Sequence, residues 1–226
     1  NKLCTSCIYL AKLYLVNRGV TMIFNQLFDD KSSTYTYIIS SGKGREALII
    51  DPVIEHTKKY IKILKDLELK LVKVIDTHIH ADHISGLNEL NKQTECTRIM
   101  GEESESEVID LRVKENEKVK IEGVELITLY TPGHTKCSYS YLMNDRVFTG
   151  DTLLINGSGR TDFQGGSAME QYDSIFGKLL KLPNKTLVYP AHDYNGKKFS
   201  TIENERNNNP RLQVSSSDEY IEIMSN

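Results

Sequence analysis

Apolar residues along this chain come in two rhythms. From Met22 onward, short runs rich in β-branched and aromatic residues (22–28, 34–39 and 47–50) alternate with Asp29-Asp30-Lys31-Ser32-Ser33 and Ser41-Gly42-Lys43-Gly44. That texture predicts three strands joined by turns. The rhythm then changes: Tyr60, Ile61, Leu64 and Leu67 recur at helical spacing within 54–67, and Pro52 stands just ahead, so a helix is expected. Leu71-Val72-Lys73-Val74-Ile75 reads as a buried strand closed by Asp76, and a second helix is expected from about 84 to 91.

The second half repeats the alternation. Residues 101–118 are acidic and polar and read as a surface excursion; strands follow at 118–121, 124–130, 138–143 and 146–149. A glycine-containing loop over 153–166 leads to a helix at 169–182 and a strand at 186–189. Ser200-Thr201-Ile202-Glu203 has the form of a capping box opening a short helix. Asn209-Pro210 stops that helix, and a last helical piece spans 217–224. With no linker or low-complexity tract between 22 and 226, the expectation is one α+β domain whose two β-rich blocks face each other across a shared site. Residues 1–21 stand apart: they carry Lys2, Lys12 and Arg18 but no acid, and Asp29 is the first acidic residue. They are expected to be an extension outside the domain, either a leader or an artefact.

Composition narrows the partners. The chain has 226 residues, 39% hydrophobic and 26% charged, with a net charge of -3 and no basic block, which argues against nucleic acid. No apolar run approaches the roughly 20 residues that cross a bilayer. Four cysteines, Cys4, Cys7, Cys96 and Cys137, suit a reducing compartment without a disulfide framework. Cys4-Thr5-Ser6-Cys7 has the spacing of a redox pair or half a zinc knuckle, but no second pair accompanies it.

Histidine placement changes the picture most. Thr77-His78-Ile79-His80-Ala81-Asp82-His83 follows the 71–75 run directly, and alternation along extended backbone puts His78 and His80 on one side. His134 sits in Thr131-Pro132-Gly133-His134-Thr135, Asp151 closes Arg146-Val147-Phe148-Thr149-Gly150-Asp151, and His192 follows Leu187-Val188-Tyr189-Pro190-Ala191. Each is delivered from the carboxyl end of an apolar run, where open sheets place their sites. Five of the six histidines fall in these segments and only His56 does not. Packing does not produce such clustering, and imidazole with carboxylate is the donor set of zinc, iron or manganese.

At these residues the chain resembles the metallo-β-lactamase superfamily, an αββα sandwich with its site at one edge of paired sheets. In dinuclear members, the resemblance implies that His78, His80 and His134 hold one metal. Asp82, His83 and His192 hold a second, and Asp151 bridges. Gly157-Ser158-Gly159-Arg160-Thr161-Asp162-Phe163-Gln164, His192-Asp193-Tyr194 and Asn209-Pro210-Arg211-Leu212 are similar to the persulfide dioxygenases. That branch implies one ferrous iron, Fe(2+), per chain on His78, His134 and Asp151, with glutathione persulfide and O2 as reactants. His80, Asp82, His83 and His192 then orient ligands or mark a vacant second site. Arg160 and Tyr194 are the expected catalytic and substrate-contacting residues, with Asp162 beside them, because arginine pairs bidentately with the carboxylates of glutathione. Ser158 stands where many relatives have cysteine. The alternative is a dinuclear hydroxyacylglutathione hydrolase, whose ligands are all present, although Arg160-Thr161-Asp162 fits the dioxygenases better. A cytoplasmic protein is expected, or a mitochondrial matrix protein for a eukaryotic source, with a homodimer left open.

Overall fold

In the computed structural model, which describes residues 16–17 and 20–225, the strand-forming runs become two six-stranded sheets. A short antiparallel pair, β1 (Val16–Asn17) and β2 (Val20–Thr21), precedes them. The rest of the basic N-terminal stretch, including Cys4 and Cys7, lies outside the described residues.

The first sheet runs β3 (Ile23–Asp29), β4 (Thr34–Ser40), β5 (Glu46–Ile50), β6 (Lys70–Ile75), β7 (Thr97–Gly101) and β8 (Leu111–Val113), in that order. Its first three strands pair antiparallel and its last three add in parallel. The second sheet has the order β14-β13-β12-β11-β10-β9, built from β9 (Lys118–Ile121), β10 (Val124–Tyr130), β11 (Tyr139–Leu142), β12 (Arg146–Gly150), β13 (Leu187–Pro190) and β14 (Ser200–Thr201). The alternation of β4 shows how the layers divide. Tyr37 and Ile39 enter the layer between the sheets, with Phe24, Ile50, Leu126, Tyr141 and Phe148. Ile38 points the other way, to the cluster that holds Tyr60 and Leu64 of α1 (Thr57–Asp66) and Leu90 of α2 (Leu87–Thr94). On the far face, Val147 and Val188 pack with Ile175, Leu179, Ile202 and Tyr220. The order is helix, sheet, sheet, helix, as the resemblance implies.

Four sequence expectations shift. The second helix begins at Leu87, not near Ile84, because residues 81–86 are spent on turns and Ile84 is left exposed. The acidic stretch 101–118 is not wholly irregular: it contains β8, an edge strand of which only Val113 is buried, with Asp110 just ahead of it pairing with Arg98 on β7. The 169–182 helix changes pitch along its length. It comprises α3 (Ala168–Tyr172), a π-helical Asp173–Lys178 and a 3-10 turn Leu179–Lys181. The cap of α4 (Ile202–Asn208) is Thr201, not Ser200: its hydroxyl accepts from the Asn204 N–H. The last helix, α5 (Ser217–Ser225), matches its expected span. Among the described residues, no helix is long and apolar enough to cross a membrane.

Candidate metal centre

All the candidate ligands leave strands at one edge of the sandwich. β6 ends into the 76–83 segment, β10 into His134, β12 into Asp151 and β13 into His192. The edge is cross-braced there: the Tyr35 N–H donates to the Ala191 carbonyl at 2.7 Å, and the Ala191 N–H to the Gly150 carbonyl at 2.9 Å.

His78, His134 and Asp151 converge, one ligand atom of each lying within 4.8 Å of the others. Asp151 Oδ2 is 3.5 Å from His134 Nε2 and 3.9 Å from His78 Nε2. Their tautomers follow from the surroundings. His134 Nδ1 lies 2.8 Å from the Arg160 carbonyl, which only accepts, so Nδ1 carries the proton and the Nε2 lone pair faces Asp151. Thr77 donates its hydroxyl to Asp51 Oδ2 at 2.9 Å and so accepts from His78 Nδ1, also at 2.9 Å. Burial, and then the neighbouring histidines, push His78 well below the ordinary imidazole pKa. Neutral imidazole is the ligand form. Asp151 Oδ1 is buried without a hydrogen-bond partner. Two free imidazole lone pairs and an unsatisfied carboxylate oxygen fit a metal cation.

His80 lies beside His78 as expected, ring centroids 4.3 Å apart, but bonds to a different pair of residues. Its Nε2 donates to Asp51 Oδ1 at 3.2 Å and lies 3.9 Å from Asp76 Oδ1. Burial alone would lower its pKa, but the Asp51 hydrogen bond and the surrounding carboxylates hold it up at about 9. Asp82, His83 and His192 meet around one oxygen: Asp82 Oδ2 lies 3.0 Å from His83 Nδ1 and 3.2 Å from His192 Nε2. The Thr34 hydroxyl donates to that same oxygen at 3.1 Å and sits 3.5 Å from each of those imidazole nitrogens.

Sequence reasoning passed over two of these residues. Asp51 sits at φ 50 with its side chain buried and accepts from the Thr77 N–H at 2.7 Å. A non-glycine residue in that region is uncommon. The signal was present, since Ala47-Leu48-Ile49-Ile50 also closes on a carboxylate. Thr34 carried none, being a threonine in a strand. Through Ser32 and Asp29 it also reaches His56, the histidine outside the motifs: Thr34 to Ser32 is 2.7 Å, Ser32 to Asp29 2.7 Å, and Asp29 to His56 Nε2 2.8 Å.

Arg160 and Tyr194 stand further out. The Arg160 guanidinium forks onto Asp162 at 2.7 and 2.8 Å, with both side chains more than half exposed. The Tyr194 ring stacks near His192, centroids 6.1 Å apart, and is largely exposed. Tyr194, His192, Ser158 and Arg211 are among the residues lining a cavity of about 210 Å3. Arg211 Nη1 donates to the Ser158 carbonyl at 2.6 Å and hydroxyl at 3.2 Å. A larger cavity, about 580 Å3, is lined by Met22, Ser41 and Asn144 among others and holds none of these residues.

Comparison with known proteins places this arrangement. The metallo-beta-lactamase superfamily pattern matches residues 29–192. The chain belongs to the metallo-beta-lactamase superfamily. Within this superfamily it is 41% identical to the mitochondrial persulfide dioxygenase ETHE1 of Mus musculus over 215 residues, 92% of this chain and 82% of that protein. The Homo sapiens protein of the same name is 39% identical over the same shares. The crystal structure of ETHE1 from Myxococcus xanthus superposes with a TM-score of 0.88 at 45% identity, covering 90% of each chain. A probable hydroxyacylglutathione hydrolase of Schizosaccharomyces pombe is 36% identical, over 71% of this chain and 64% of that one. The superfamily member described here therefore sits on the persulfide dioxygenase branch and has a metal-binding site.

Proposed function

We propose that this chain is a persulfide dioxygenase that uses one ferrous iron, held by His78, His134 and Asp151, to oxidise glutathione persulfide with O2. The balance is one persulfide, one O2 and one water giving glutathione, sulfite and two protons, with four electrons passing from the terminal sulfur to dioxygen. The observation that carries this reading is the convergence of two imidazole lone pairs and one carboxylate. That set suits a non-haem iron with open positions, and the similarity to proteins named persulfide dioxygenase supports it. Iron held by these three residues would supply the redox chemistry that joins dioxygen to the terminal sulfur.

The chain's own residues do the rest. Thr77 and the Arg160 carbonyl fix the tautomers that direct Nε2 of His78 and His134 inward. The Tyr194 phenol stays protonated, its pKa raised by partial desolvation on its packed side and then by the Asp151 and Asp82 charges, so it serves as a hydrogen-bond donor lining the cavity. For the carboxylates of glutathione, Arg160 is reached only by exchanging Asp162. Arg211, whose described side-chain hydrogen bonds both go to Ser158, offers its remaining donors to the cavity.

Oxygen uptake with sulfite formation from glutathione persulfide by the iron-loaded protein is the direct test. Lactoylglutathione hydrolysis at a comparable rate, without oxygen uptake, would overturn it in favour of the hydrolase. That second reading is kept open by one observation: Asp82, His83 and His192 are all present at the same edge.

A further inference from the structure

His134 and Asp151 leave different strands, yet both lean on one buried side chain that touches neither. Gln171, on α3, is fully buried and donates its Nε2–H to the Gly159 carbonyl at 3.0 Å. The Gly159 N–H donates to the Asp151 carbonyl at 2.8 Å. The next carbonyl along, that of Arg160, is the one that accepts from His134 Nδ1. Gly159 is wedged between the two ligands: a Cβ there would collide with the Asp151 carbonyl and come 2.9 Å from His134 Nδ1. α3 also grips the turn that carries His134. Gly133, at φ +131, lies so close that a Cβ on it would overlap the backbone and Cβ atoms of Gln171. The Ser167 N–H donates to the Gly133 carbonyl at 2.8 Å.

Gln171 is itself held from behind. Its Oε1 accepts from the hydroxyl of Tyr220, a fully buried residue of α5, at 2.8 Å, and that hydroxyl lies 3.1 Å from Ser158 Oγ. Donor and acceptor roles then run in one direction. Arg211 Nη1 donates to Ser158 Oγ, Ser158 to Tyr220, Tyr220 to Gln171, Gln171 to Gly159, and Gly159 to Asp151. The order leaves the Gln171 amide a single orientation, because Gly159 needs a donor and Tyr220 needs an acceptor. Hydrogen bonds aligned head to tail polarise one another.

We propose that Gln171 is a positioning residue that sets the spacing of His134 and Asp151 by clamping the Gly159–Arg160 backbone to α3, with Tyr220 as its lock. The inference rests on His134 and Asp151 being metal ligands.

The test reads metal binding and not turnover. Wild type, Gln171→Leu and Tyr220→Phe are compared for thermal midpoint, for metal affinity by chelator competition, and for the d–d absorption bands of the Co(II)-loaded protein. Leucine fills much of the same space but leaves the Gly159 carbonyl without its donor. Gln171→Leu should weaken metal binding by about 10- to 100-fold and shift the cobalt bands, and Tyr220→Phe should shift them in the same direction with a few-fold loss. A folded Gln171→Leu protein with wild-type affinity and bands overturns the proposal, as does a lowered thermal midpoint with both unchanged. If Gln171→Leu does not fold, Tyr220→Phe decides on the same two readouts. His134→Ala and Asp151→Ala run alongside: metal retained by both would remove the ligand assignment itself. Failure of persulfide oxidation with these metal results intact would overturn the proposed reaction and leave the role of Gln171 standing.

Discussion

The two sides of the histidine cluster use the same residue types and behave differently. On one side, His78 and His134 each commit Nδ1 to an oxygen outside the ligand set, from Thr77 and Arg160, so that Nε2 faces Asp151. On the other, His83 and His192 turn a nitrogen toward Asp82 Oδ2, and the Thr34 hydroxyl joins them there. The first set is oriented by partners behind it; in the second, one nitrogen of each imidazole turns to Asp82 while His83 Nε2 and His192 Nδ1 stay buried without a hydrogen-bond partner. On the first side, then, residues outside the histidine motif set which nitrogen each imidazole presents, through the hydrogen bonds they make to Nδ1.

The sharpest way to break this contrast is to remove one ligand from each side. His134→Ala or Asp151→Ala should strip the iron and abolish persulfide oxidation together, read as metal per chain and oxygen uptake. His192→Ala should keep most of the iron and lose roughly 10- to 100-fold in rate, the usual scale for groups that orient ligands. Two tightly held metals per wild-type chain, both lost in His192→Ala, would erase the difference between the sides.

Much of this was legible in the chain. Strand ends announce themselves when an apolar run stops near a histidine or carboxylate, as at His78, His134, Asp151 and His192, and the layers of the sandwich follow from alternation in strands such as β4. Less visible were contacts made across layers. Nothing local marks Thr34 as the partner of Asp82, 48 positions away, or Gln171 as the support of Gly159. β8 was hidden because an edge strand buries only Val113 and reads as a polar loop. Arg160 shows the limit from the other direction. Its motif speaks for the side chain, which is engaged with Asp162, and says nothing of its carbonyl, which accepts from His134 Nδ1.

The two arginines test the substrate side of the same contrast. Arg211→Ala should raise the persulfide KM by roughly 10- to 100-fold, the loss of a charged hydrogen bond worth about 1.5–3 kcal/mol. Arg160→Ala should raise it less, because its guanidinium must first leave Asp162. Iron content should hold in both, measured beside steady-state kinetics. Iron lost in Arg160→Ala would show that the side chain, as well as the carbonyl, supports His134.

The smallest expected effect lies at the far end of the chain of contacts behind Thr34. Asp29 is buried; burial raises its pKa, but hydrogen bonds from the Ser32 hydroxyl and N–H and from His56 outweigh that and hold it below its ordinary value of 3.8. A depressed carboxyl binds its proton less readily folded than unfolded, so the stability it contributes is present above pH 3.8 and is lost as pH falls through the lower folded value. Asp29→Asn should cost about 1–3 kcal/mol near neutral pH, and the gap to wild type should shrink as the pH is taken below 3.8. Urea unfolding at a series of pH values measures both. Metal content should stay at the wild-type level, since Asp29 reaches Asp82 through two intervening residues, Ser32 and Thr34. A gap that stays constant with pH would mean that the substitution costs shape complementarity rather than charge.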